Sequence, residues 1–222
     1  MNYTKLGRTG LRVSKVCLGT MTFGKMNDEK ESFRILDAAL DAGINFIDTS
    51  NTYGGGVDRH GKVEEILGRW FTLGGGRREK VVLTTKVYSK MYDEADGPND
   101  ENGISAYKIY RSVEKSMKRM RTDYIEIYTQ HHVDRSVPYD EIFEAYENLI
   151  RQGKICYVGS SNSGARDIVR AHYEAQNRHF LGFVAEQHKY NLFVRLPELE
   201  VMPACQELGV AFMPYSPLAG GY

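Results

Sequence analysis

Short apolar runs alternate along the chain with longer segments of helical periodicity. Between the runs, apolar residues recur three and four positions apart, as at Ile109, Val113 and Met117. Apolar strands that alternate with amphipathic helices are typical of a parallel sheet covered by helices. The pattern therefore predicts an α/β protein with seven βα units. The predicted strands lie at 16–19, 45–48, 81–87, 124–130, 155–160, 182–187 and 210–215.

Local signals mark where several of these elements begin and end. Asp28 and Glu31 form a capping box ahead of the first helical segment. A glycine ends each of three helices and leads straight into a strand, as expected for a left-handed residue after a helix. These glycines are Gly43, Gly153 and Gly209.

The chain is expected to fold as one domain. Residues 3–7 and 11–14 flank Arg8-Thr9-Gly10 and predict a β-hairpin before the first unit. The segment 90–103, rich in Asp, Glu, Gly and Asn, is interpreted as a mobile surface loop. No low-complexity linker interrupts the units, so we expect residues 1–222 to form a single domain.

A parallel α/β chain forms either an open doubly wound sheet or a (β/α)8 barrel. Open nucleotide-binding sheets carry G-x-G-x-x-G after the first strand, and residues 19–24 read Gly-Thr-Met-Thr-Phe-Gly instead. Residues 56–63 approach a phosphate-binding loop, but Val63 replaces the hydroxyl residue that would hold Mg²⁺. These departures argue against a nucleoside triphosphatase, although the periodicity alone allows either architecture.

Composition excludes several classes of partner. Lys and Arg (29 residues) balance Asp and Glu (29), so nothing global attracts nucleic acid or an anionic membrane. No apolar run approaches the length of a membrane span, and the first residues do not resemble a signal peptide. The predicted helix near 106–120 carries a basic stripe that lies mostly opposite its apolar residues, which we interpret as a solvated outer face and not as a nucleic-acid-binding surface. The stripe comprises Lys108, Arg111, Lys115, Lys118 and Arg119.

The cysteines indicate a reducing compartment. They are odd in number and far apart in the chain, which does not suit a disulfide framework. We interpret Cys17, Cys156 and Cys205 as reduced packing residues of a cytoplasmic protein.

Polar side chains follow the apolar runs at their carboxyl ends. In a barrel these ends share one face, where active sites are built. A single such residue has a simple explanation as a solvated strand end, but six in register are hard to explain by packing alone. They are Asp48, Lys86, His131, Ser160-Ser161-Asn162, Glu186-Gln187 and Tyr215-Ser216.

Lys86, Asp48 and Tyr53 form a candidate proton-transfer group. Lys86 ends a buried strand and needs a carboxylate partner, for which Asp48 is the obvious candidate. A lysine ammonium near a phenol lowers the phenol's pKa, so we expect Tyr53 to be a stronger acid than an ordinary tyrosine. The structural alternatives are that Asp48 caps a turn while Tyr53 covers the loop, and that Lys86 and Asp48 form an ion pair without a catalytic role.

Two adjacent histidines follow the fourth predicted strand of the sheet. On a strand, His131 and His132 would point to opposite faces, so only one would face the barrel mouth and they could not share a metal. The sequence also lacks H-E-x-x-H and paired Cys spacing. We therefore predict no metal site.

The order of these motifs resembles the aldo-keto reductase superfamily, whose members are (β/α)8 barrels that use NADPH. Each motif alone is weak, but their order along nearly the whole chain is specific. The resemblance implies an α/β (β/α)8 TIM barrel with an N-terminal β-hairpin, of which the chain covers about seven of eight units. It also implies that the eighth strand and the last two helices lie outside this sequence, as in a fragment or a partial record. The matching segments are 6–14, 18–24, 46–48, Tyr53-Gly54, Thr85-Lys86, 123–131, 159–162, Glu186-Gln187 and 214–218.

The resemblance assigns a role to each member of a tetrad. It implies that Tyr53 donates a proton to a substrate carbonyl, while Lys86, held by Asp48, tunes this acid. His131 would orient the carbonyl oxygen, and the nicotinamide would deliver the hydride. The implied reaction is the NADPH-dependent reduction of an aldehyde or ketone to an alcohol, with a small-molecule carbonyl as partner. A homo-oligomeric state stays open.

The resemblance also implies how the cofactor is held. The nicotinamide ring would stack on Tyr215, and its carboxamide would be held by Ser161, Asn162 and Gln187, next to Asp48. Residues implied to cradle the ribose and pyrophosphate are Thr20, Met21, Ser216, Pro217, Leu218 and Gly220.

Two other functions remain as alternatives. Residues 186–195 are similar to the branch that contains the potassium-channel β-subunits, which suggests a cofactor-binding, redox-sensing regulatory protein. In those subunits another residue occupies the histidine position, so His131 favours an enzyme. The other alternative is a barrel aldolase that uses Lys86 as its Schiff-base lysine.

Overall fold

A two-stranded hairpin precedes the main sheet. The computed structural model describes residues 1–221; Tyr222, the last residue of the expected domain, lies outside the described residues. Strands β1 (Tyr3–Lys5) and β2 (Arg12–Ser14) pair antiparallel, which confirms the predicted hairpin. Its buried residues Leu6 and Val13 pack on apolar side chains near the amino ends of the main strands. The hairpin therefore closes the end of the sheet opposite to the candidate site.

Seven parallel strands form the main sheet, in the order in which they occur in the chain. Every predicted run corresponds to one of them, with ends that agree to within two residues. The strands are β3 (Cys17–Gly19), β4 (Phe46–Asp48), β5 (Val82–Val87), β6 (Ile125–Gln130), β7 (Ile155–Ser161), β8 (Phe183–Lys189) and β9 (Ala211–Tyr215).

The sheet curls strongly, as in a barrel. Gln187 on β8 donates a hydrogen bond of 2.8 Å to Asp48 on β4, although three strands stand between β4 and β8. In a flat sheet, four strand spacings would hold these residues about 19 Å apart. The architecture is therefore a partial (β/α)8 barrel with an N-terminal hairpin, as predicted.

Helices cover the outer face of the sheet. The capping box forms in part: the Asp28 carboxylate accepts the Glu31 N–H at 2.8 Å, whereas the Glu31 carboxylate accepts from Arg34. Gly43, Gly153 and Gly209 have positive φ angles of 81°, 71° and 65°, as predicted for residues that follow helices. The helices are α1 (Glu29–Asp41), α2 (Lys62–Phe71), α3 (Ala106–Met120), α4 (Tyr139–Arg151), α5 (Ala165–Asn177) and α6 (Val201–Glu207).

The interpretation of the basic stripe on α3 as a solvated face is wrong. Acidic residues of the 90–103 loop form ion pairs with it. Asp96 accepts a hydrogen bond of 2.7 Å from Arg111, and the Lys115 ammonium donates to both Asp93 and Asp96. Lys108 is buried. Lys118 is the one exposed residue of the stripe. These ion pairs tie the loop to α3.

The thiols also differ in part from expectation. All three cysteines are free, but Cys156 is exposed near the start of β7 and is not a packing residue; Cys205 is buried and Cys17 half-buried. Within residues 1–221, no helix combines the length and apolar character that crossing a membrane requires.

Candidate active site

Three members of the predicted tetrad lie where their strands end. Asp48 and Lys86 are in β4 and β5, and His131 directly follows β6. Tyr53 lies in the loop after β4. That loop turns back because Asn51 donates its N–H to the Lys86 carbonyl and Tyr53 donates its own to Ser50. The turn returns the Tyr53 hydroxyl to the strand ends.

Lys86 connects Asp48 to Tyr53. Its ammonium donates to Asp48 Oδ2 at 2.6 Å, to the Thr49 carbonyl at 2.8 Å and to the Tyr53 hydroxyl at 3.1 Å. Lys86 is fully buried. Burial by itself lowers the pKa of Lys86, but Asp48 and Tyr53 together outweigh burial and raise it. The side chain is therefore a charged ammonium at neutral pH.

The expected lowering of the Tyr53 pKa is wrong. Burial of the phenol raises its pKa and outweighs the opposing effect of Lys86, whose ammonium lies 4.9 Å from the ring centroid. Asp48 adds to the increase. Tyr53 therefore holds its proton at neutral pH.

His131 is a neutral ring at the edge of this group. Its Nδ1 lies 3.3 Å from Ser50 Oγ, and its ring meets the Tyr53 ring edge-on, with 6.2 Å between centroids. Burial first, then the charge of Lys86 and the neighbouring His132, lowers the pKa of His131 to about 3. If Ser50 donates to Nδ1, the single ring proton lies on Nε2.

His131 and His132 do not point to opposite faces, contrary to the sequence prediction. Strand β6 ends at Gln130, so strand alternation does not extend to the two histidines. Their rings stack instead, with centroids 5.0 Å apart and planes 13° from parallel. His132 also meets the ring of Tyr88 edge-on at 5.1 Å. Within residues 1–221, no group of three or more His, Cys, Asp or Glu side chains has the arrangement of a metal site.

The residues expected to hold the nicotinamide lie beside the tetrad. Gln187 Nε2 donates to Asp48 Oδ1. Asn162 Nδ2 donates to the His131 carbonyl at 3.1 Å and to Ser161 Oγ at 3.0 Å, and the Tyr215 hydroxyl donates to Asn162 Oδ1 at 3.0 Å. A hydroxyl and two side-chain amides offer both donors and acceptors, which is the chemistry that a carboxamide needs. These residues therefore fit a nicotinamide.

The residues expected to cradle the ribose and pyrophosphate are less closely grouped. Thr20 is buried, and its hydroxyl donates to the Asp48 carbonyl at 2.9 Å. Met21 is 60% exposed and Leu218 is 73% exposed. The turn after β9 contains Ser216, Pro217, Leu218 and Gly220, and φ is positive at Ser216 (54°) and at Gly220 (87°). Within residues 1–221, Met21, Pro217, Leu218 and Gly220 form no hydrogen bond with the tetrad.

Sequence reasoning missed two kinds of residue at this site. Ser50 contacts His131, but its place depends on how the loop turns, which no spacing rule gives. The pattern places Glu186 at a strand end, but it does not predict the contacts of its buried carboxylate with Ser160 and Ser163. Successive side chains of a strand point to opposite faces, so Gln187 points into the barrel and Glu186 points toward the helices. This alternation is the sequence signal that could have assigned the two residues to different environments.

Comparisons with known proteins agree with this arrangement. Residues 15–222 match the sequence profile of the Aldo/keto reductase family. The chain is 57% identical over 221 residues to the uncharacterized oxidoreductase YrpG of Bacillus subtilis (strain 168), covering 100% of this chain and 68% of that protein.

More distant relatives carry more specific names. The chain is 36% identical to a protein of Oryza sativa subsp. japonica named "Probable voltage-gated potassium channel subunit beta", covering 100% of this chain and 65% of that protein. It is 32% identical to the versiconal hemiacetal acetate reductase of Aspergillus parasiticus, covering 100% of this chain and 68% of that protein.

The chain spans about two thirds of the length of the curated relatives that it matches. The family profile nevertheless covers nearly all of its residues, from the first strand of the main sheet onward. The chain belongs to the aldo/keto reductase family.

Proposed function

We propose that this protein is an oxidoreductase that reduces the carbonyl group of a small aldehyde or ketone to an alcohol with NADPH. The observation that carries the proposal is the buried Lys86 ammonium, which contacts both the Asp48 carboxylate and the Tyr53 hydroxyl. The family membership and the oxidoreductase and reductase names of relatives support the same reaction class.

Tyr53 acts as the proton donor in this proposal. Lys86 donates to the phenol oxygen at 3.1 Å, so the phenolic proton is left to point at a substrate oxygen. The raised pKa of Tyr53 keeps that proton in place until the substrate oxygen gains charge. When the proton leaves, the phenolate remains next to the Lys86 ammonium, which stabilises it.

His131 positions the carbonyl group. A neutral imidazole can donate one hydrogen bond from Nε2 without giving up its proton. Because its pKa is about 3, His131 stays neutral over the range in which Tyr53 works as an acid. It therefore orients and polarises the carbonyl oxygen but does not protonate it.

The residues around Asn162 would hold the cofactor. Ser161, Asn162 and Gln187 would bind the carboxamide, and Tyr215 would present its ring to the nicotinamide. Thr20 and Met21, with the backbone of the turn that contains Ser216, Pro217, Leu218 and Gly220, would contact the ribose and pyrophosphate. When bound, the cofactor supplies the hydride. The preference for NADPH over NADH is tested by measuring the affinity for each.

Two further parts of the proposal concern the whole protein. We infer that residues 1–222 act as a single domain, because one continuous sheet contains every strand from β3 to β9. We also infer that the protein works in the cytoplasm, because its three cysteines are free thiols. The partner is a small carbonyl compound, since the site brings together an acid and a hydrogen-bond donor for one oxygen atom.

A regulatory role is the second candidate. The likeness to the rice protein named as a channel β-subunit favours a protein that binds the cofactor and reports its redox state. Cofactor binding without turnover of any carbonyl would support this role. An aldolase is not supported, because a Schiff-base lysine needs a neutral amine and Lys86 is held as an ammonium.

The test is the replacement Tyr53→Phe, which removes the phenolic proton and keeps the ring. With a reactive aromatic aldehyde and NADPH, we expect turnover to fall by about 10²–10⁴-fold, the usual contribution of a general acid. Tyr173→Phe is the matched control, because Tyr173 is 57% exposed on α5, outside the site. Turnover within a few-fold of the wild type in Tyr53→Phe would refute the assignment of the acid.

A further inference from the structure

Glu186 is a buried carboxylate directly behind the proposed carboxamide site. Its neighbour Gln187 points into the barrel toward Asp48, and successive side chains of a strand point to opposite faces. Glu186 therefore points outward, between the sheet and the helices, where it is fully buried. The proposed reaction gives this residue no role.

Both oxygens of Glu186 hold the segment after β7. Ser160 donates its hydroxyl to Oε2 at 2.5 Å, and Ser163 donates its backbone N–H to Oε1 at 2.8 Å. These two contacts bracket Ser161 and Asn162. Asn162 has a φ of 57°, in the left-handed region that few non-glycine residues other than Asn and Asp adopt. A backbone turn of this kind persists when its surroundings fix it, and Glu186 supplies two of the contacts that do so.

We propose that Glu186 is a positioning residue, whose carboxylate fixes the turn at Asn162 and so places the Ser161 and Asn162 side chains for a carboxamide. The identity of that ligand rests on the proposed function, whereas the contacts by which Glu186 fixes the turn at Asn162 do not depend on it. Asn162 passes the effect on, because its side chain contacts the His131 carbonyl and the Tyr215 hydroxyl.

The charges around Glu186 make the hold sensitive to pH. The pKa of Glu186 is raised to about 7, mainly by burial and also by the charge of Asp167 on α5. The hydrogen bonds from Ser160 and Ser163 lower this pKa, but by less. Asp167 is itself paired with Arg135 at 2.7 Å. Within residues 1–221, no lysine, arginine or histidine forms an ion pair with Glu186.

Two further titratable groups face Glu186 from the helices. Burial first, and then Glu186, raises the pKa of Cys205 on α6 to about 12. Burial, with contributions from Asp167 and Glu186, raises the pKa of Tyr139 on α4 to about 12. Both are neutral near pH 7, so Glu186 is the member of this group that changes charge there.

Protonation of Glu186 weakens its hold on the turn. The carboxylate accepts a hydrogen bond on each oxygen, but the protonated acid turns one oxygen into a donor. Either the Ser160 or the Ser163 contact must then rearrange. We expect the turn to be firmest above about pH 7 and looser below it.

The stability of the whole protein depends on this group in the opposite direction. The folded pKa of about 7 lies above the ordinary 4.5, so the folded state binds the proton more tightly. The stability contributed by Glu186 is fully present below about pH 4.5 and is lost as the pH rises through about 7. If Glu186 has only a structural role, ligand affinity should fall together with stability as the pH rises through about 7. If Glu186 positions the turn, ligand affinity should rise over the same pH range, although stability falls.

The first experiment uses the protein without any ligand. Nuclear magnetic resonance would follow the Glu186 carboxyl, the Ser163 backbone amide and the Asn162 side-chain amide on both sides of neutral pH. We expect all three to titrate with a midpoint of about 7 in the wild type, and the two amides to show no such midpoint in Glu186→Gln. Amide signals of Ser163 and Asn162 that do not change with pH would overturn the proposal, whatever the protein binds.

The second experiment measures the affinity for NADPH by titration calorimetry at several pH values. We expect Glu186→Gln to weaken binding about tenfold at the high-pH end, as for the loss of a hydrogen bond to a charged group, and to remove the pH dependence. Glu126→Gln is the matched control, because Glu126 is a half-buried carboxylate that accepts from Arg78 and from the Leu83 N–H near the other end of the sheet. It should lower the melting temperature and leave the affinity unchanged.

The outcomes separate this inference from the proposed function. Equal affinity and equal pH dependence in the wild type and Glu186→Gln would overturn the positioning role. A wild type that binds no nicotinamide cofactor would overturn the proposed function, and the amide titrations would still decide whether Glu186 controls Asn162.

Discussion

Replacing Lys86 with methionine tests the centre of the proposed mechanism. Methionine has nearly the same length as lysine but carries no charge and donates no hydrogen bond. The change therefore removes three contacts of the Lys86 ammonium at once, those with Asp48, with the Thr49 carbonyl and with the Tyr53 hydroxyl. It leaves the Asp48 carboxylate buried, where its Oδ1 still accepts a hydrogen bond from Gln187.

The effect on turnover follows from the distance between Lys86 and Tyr53. A phenolate 3.1 Å from an ammonium is stabilised by about 5 kcal/mol at an effective dielectric constant of about 20. Each 1.36 kcal/mol corresponds to about a factor of ten in rate. Loss of the ammonium should therefore slow proton donation by up to about 10⁴-fold.

The effect on stability has a separate origin. Removing one member of a buried ion pair leaves an unpaired buried charge, which typically costs about 3–5 kcal/mol. The double replacement of Lys86 by Met and Asp48 by Asn removes that charge as well. We expect the double variant to recover most of the free energy of unfolding and none of the turnover.

The assay compares turnover of a reactive aldehyde with NADPH in the wild type, Lys86→Met and the double variant, with urea unfolding measured on each. Turnover of Lys86→Met within about tenfold of the wild type would refute the reasoning, because the Coulomb argument requires a far larger loss. Recovery of turnover in the double variant would also refute it, since the loss would then reflect stability alone.

Two further predictions concern acid sensitivity and packing. The pKa of His131 is lowered to about 3 from 6.5, so its contribution to stability is present above about pH 6.5 and lost as the pH falls toward 3. His131→Phe should flatten the fall of melting temperature in that range, and an unchanged slope would contradict a neutral buried ring. At Gly7, whose φ is 54°, an added Cβ would lie 2.6 Å from the Gly209 carbonyl oxygen and 2.7 Å from that of Val184. Gly7→Ala should lower the free energy of unfolding by about 1–3 kcal/mol. Gly10→Ala, where nothing lies within 4 Å, is the control, and equal stability of the two variants would contradict this packing argument.

The positions of the strands and of the tetrad could be predicted because parallel strands impose a common direction. Once the apolar runs at 45–48 and 81–87 are read as neighbouring parallel strands, Asp48 and Lys86 must emerge at the same end. Tyr53 follows Asp48 by five residues on a short loop, which keeps its hydroxyl near the same strand ends. Each of these steps depends on local sequence and on a general rule of sheet geometry.

The remaining features depend on burial and on loop paths, which the sequence does not give directly. The sequence predicts a lowered Tyr53 pKa from the nearby Lys86, but the cost of burying a phenolate outweighs that effect. Strand alternation predicts opposite faces for the two histidines, but it does not apply to them because β6 ends at Gln130. The helical pattern predicts a solvated basic stripe on α3, because nothing in the sequence indicates that the carboxylates of the 90–103 loop fold back on it.

The hydrogen bonds also explain why the proposed acid and the proposed cofactor side form one unit. Each oxygen of Asp48 contacts one of the two sides. Oδ2 accepts a hydrogen bond from Lys86 at 2.6 Å, and Oδ1 accepts one from Gln187 at 2.8 Å. A second connection runs through Asn162, which donates to the His131 carbonyl and accepts from Tyr215. A shift of the turn at Asn162 therefore reaches the His131 backbone directly, without any movement of the ion pair. For this reason we expect changes on the cofactor side to alter the position of the substrate oxygen before they alter the state of the acid.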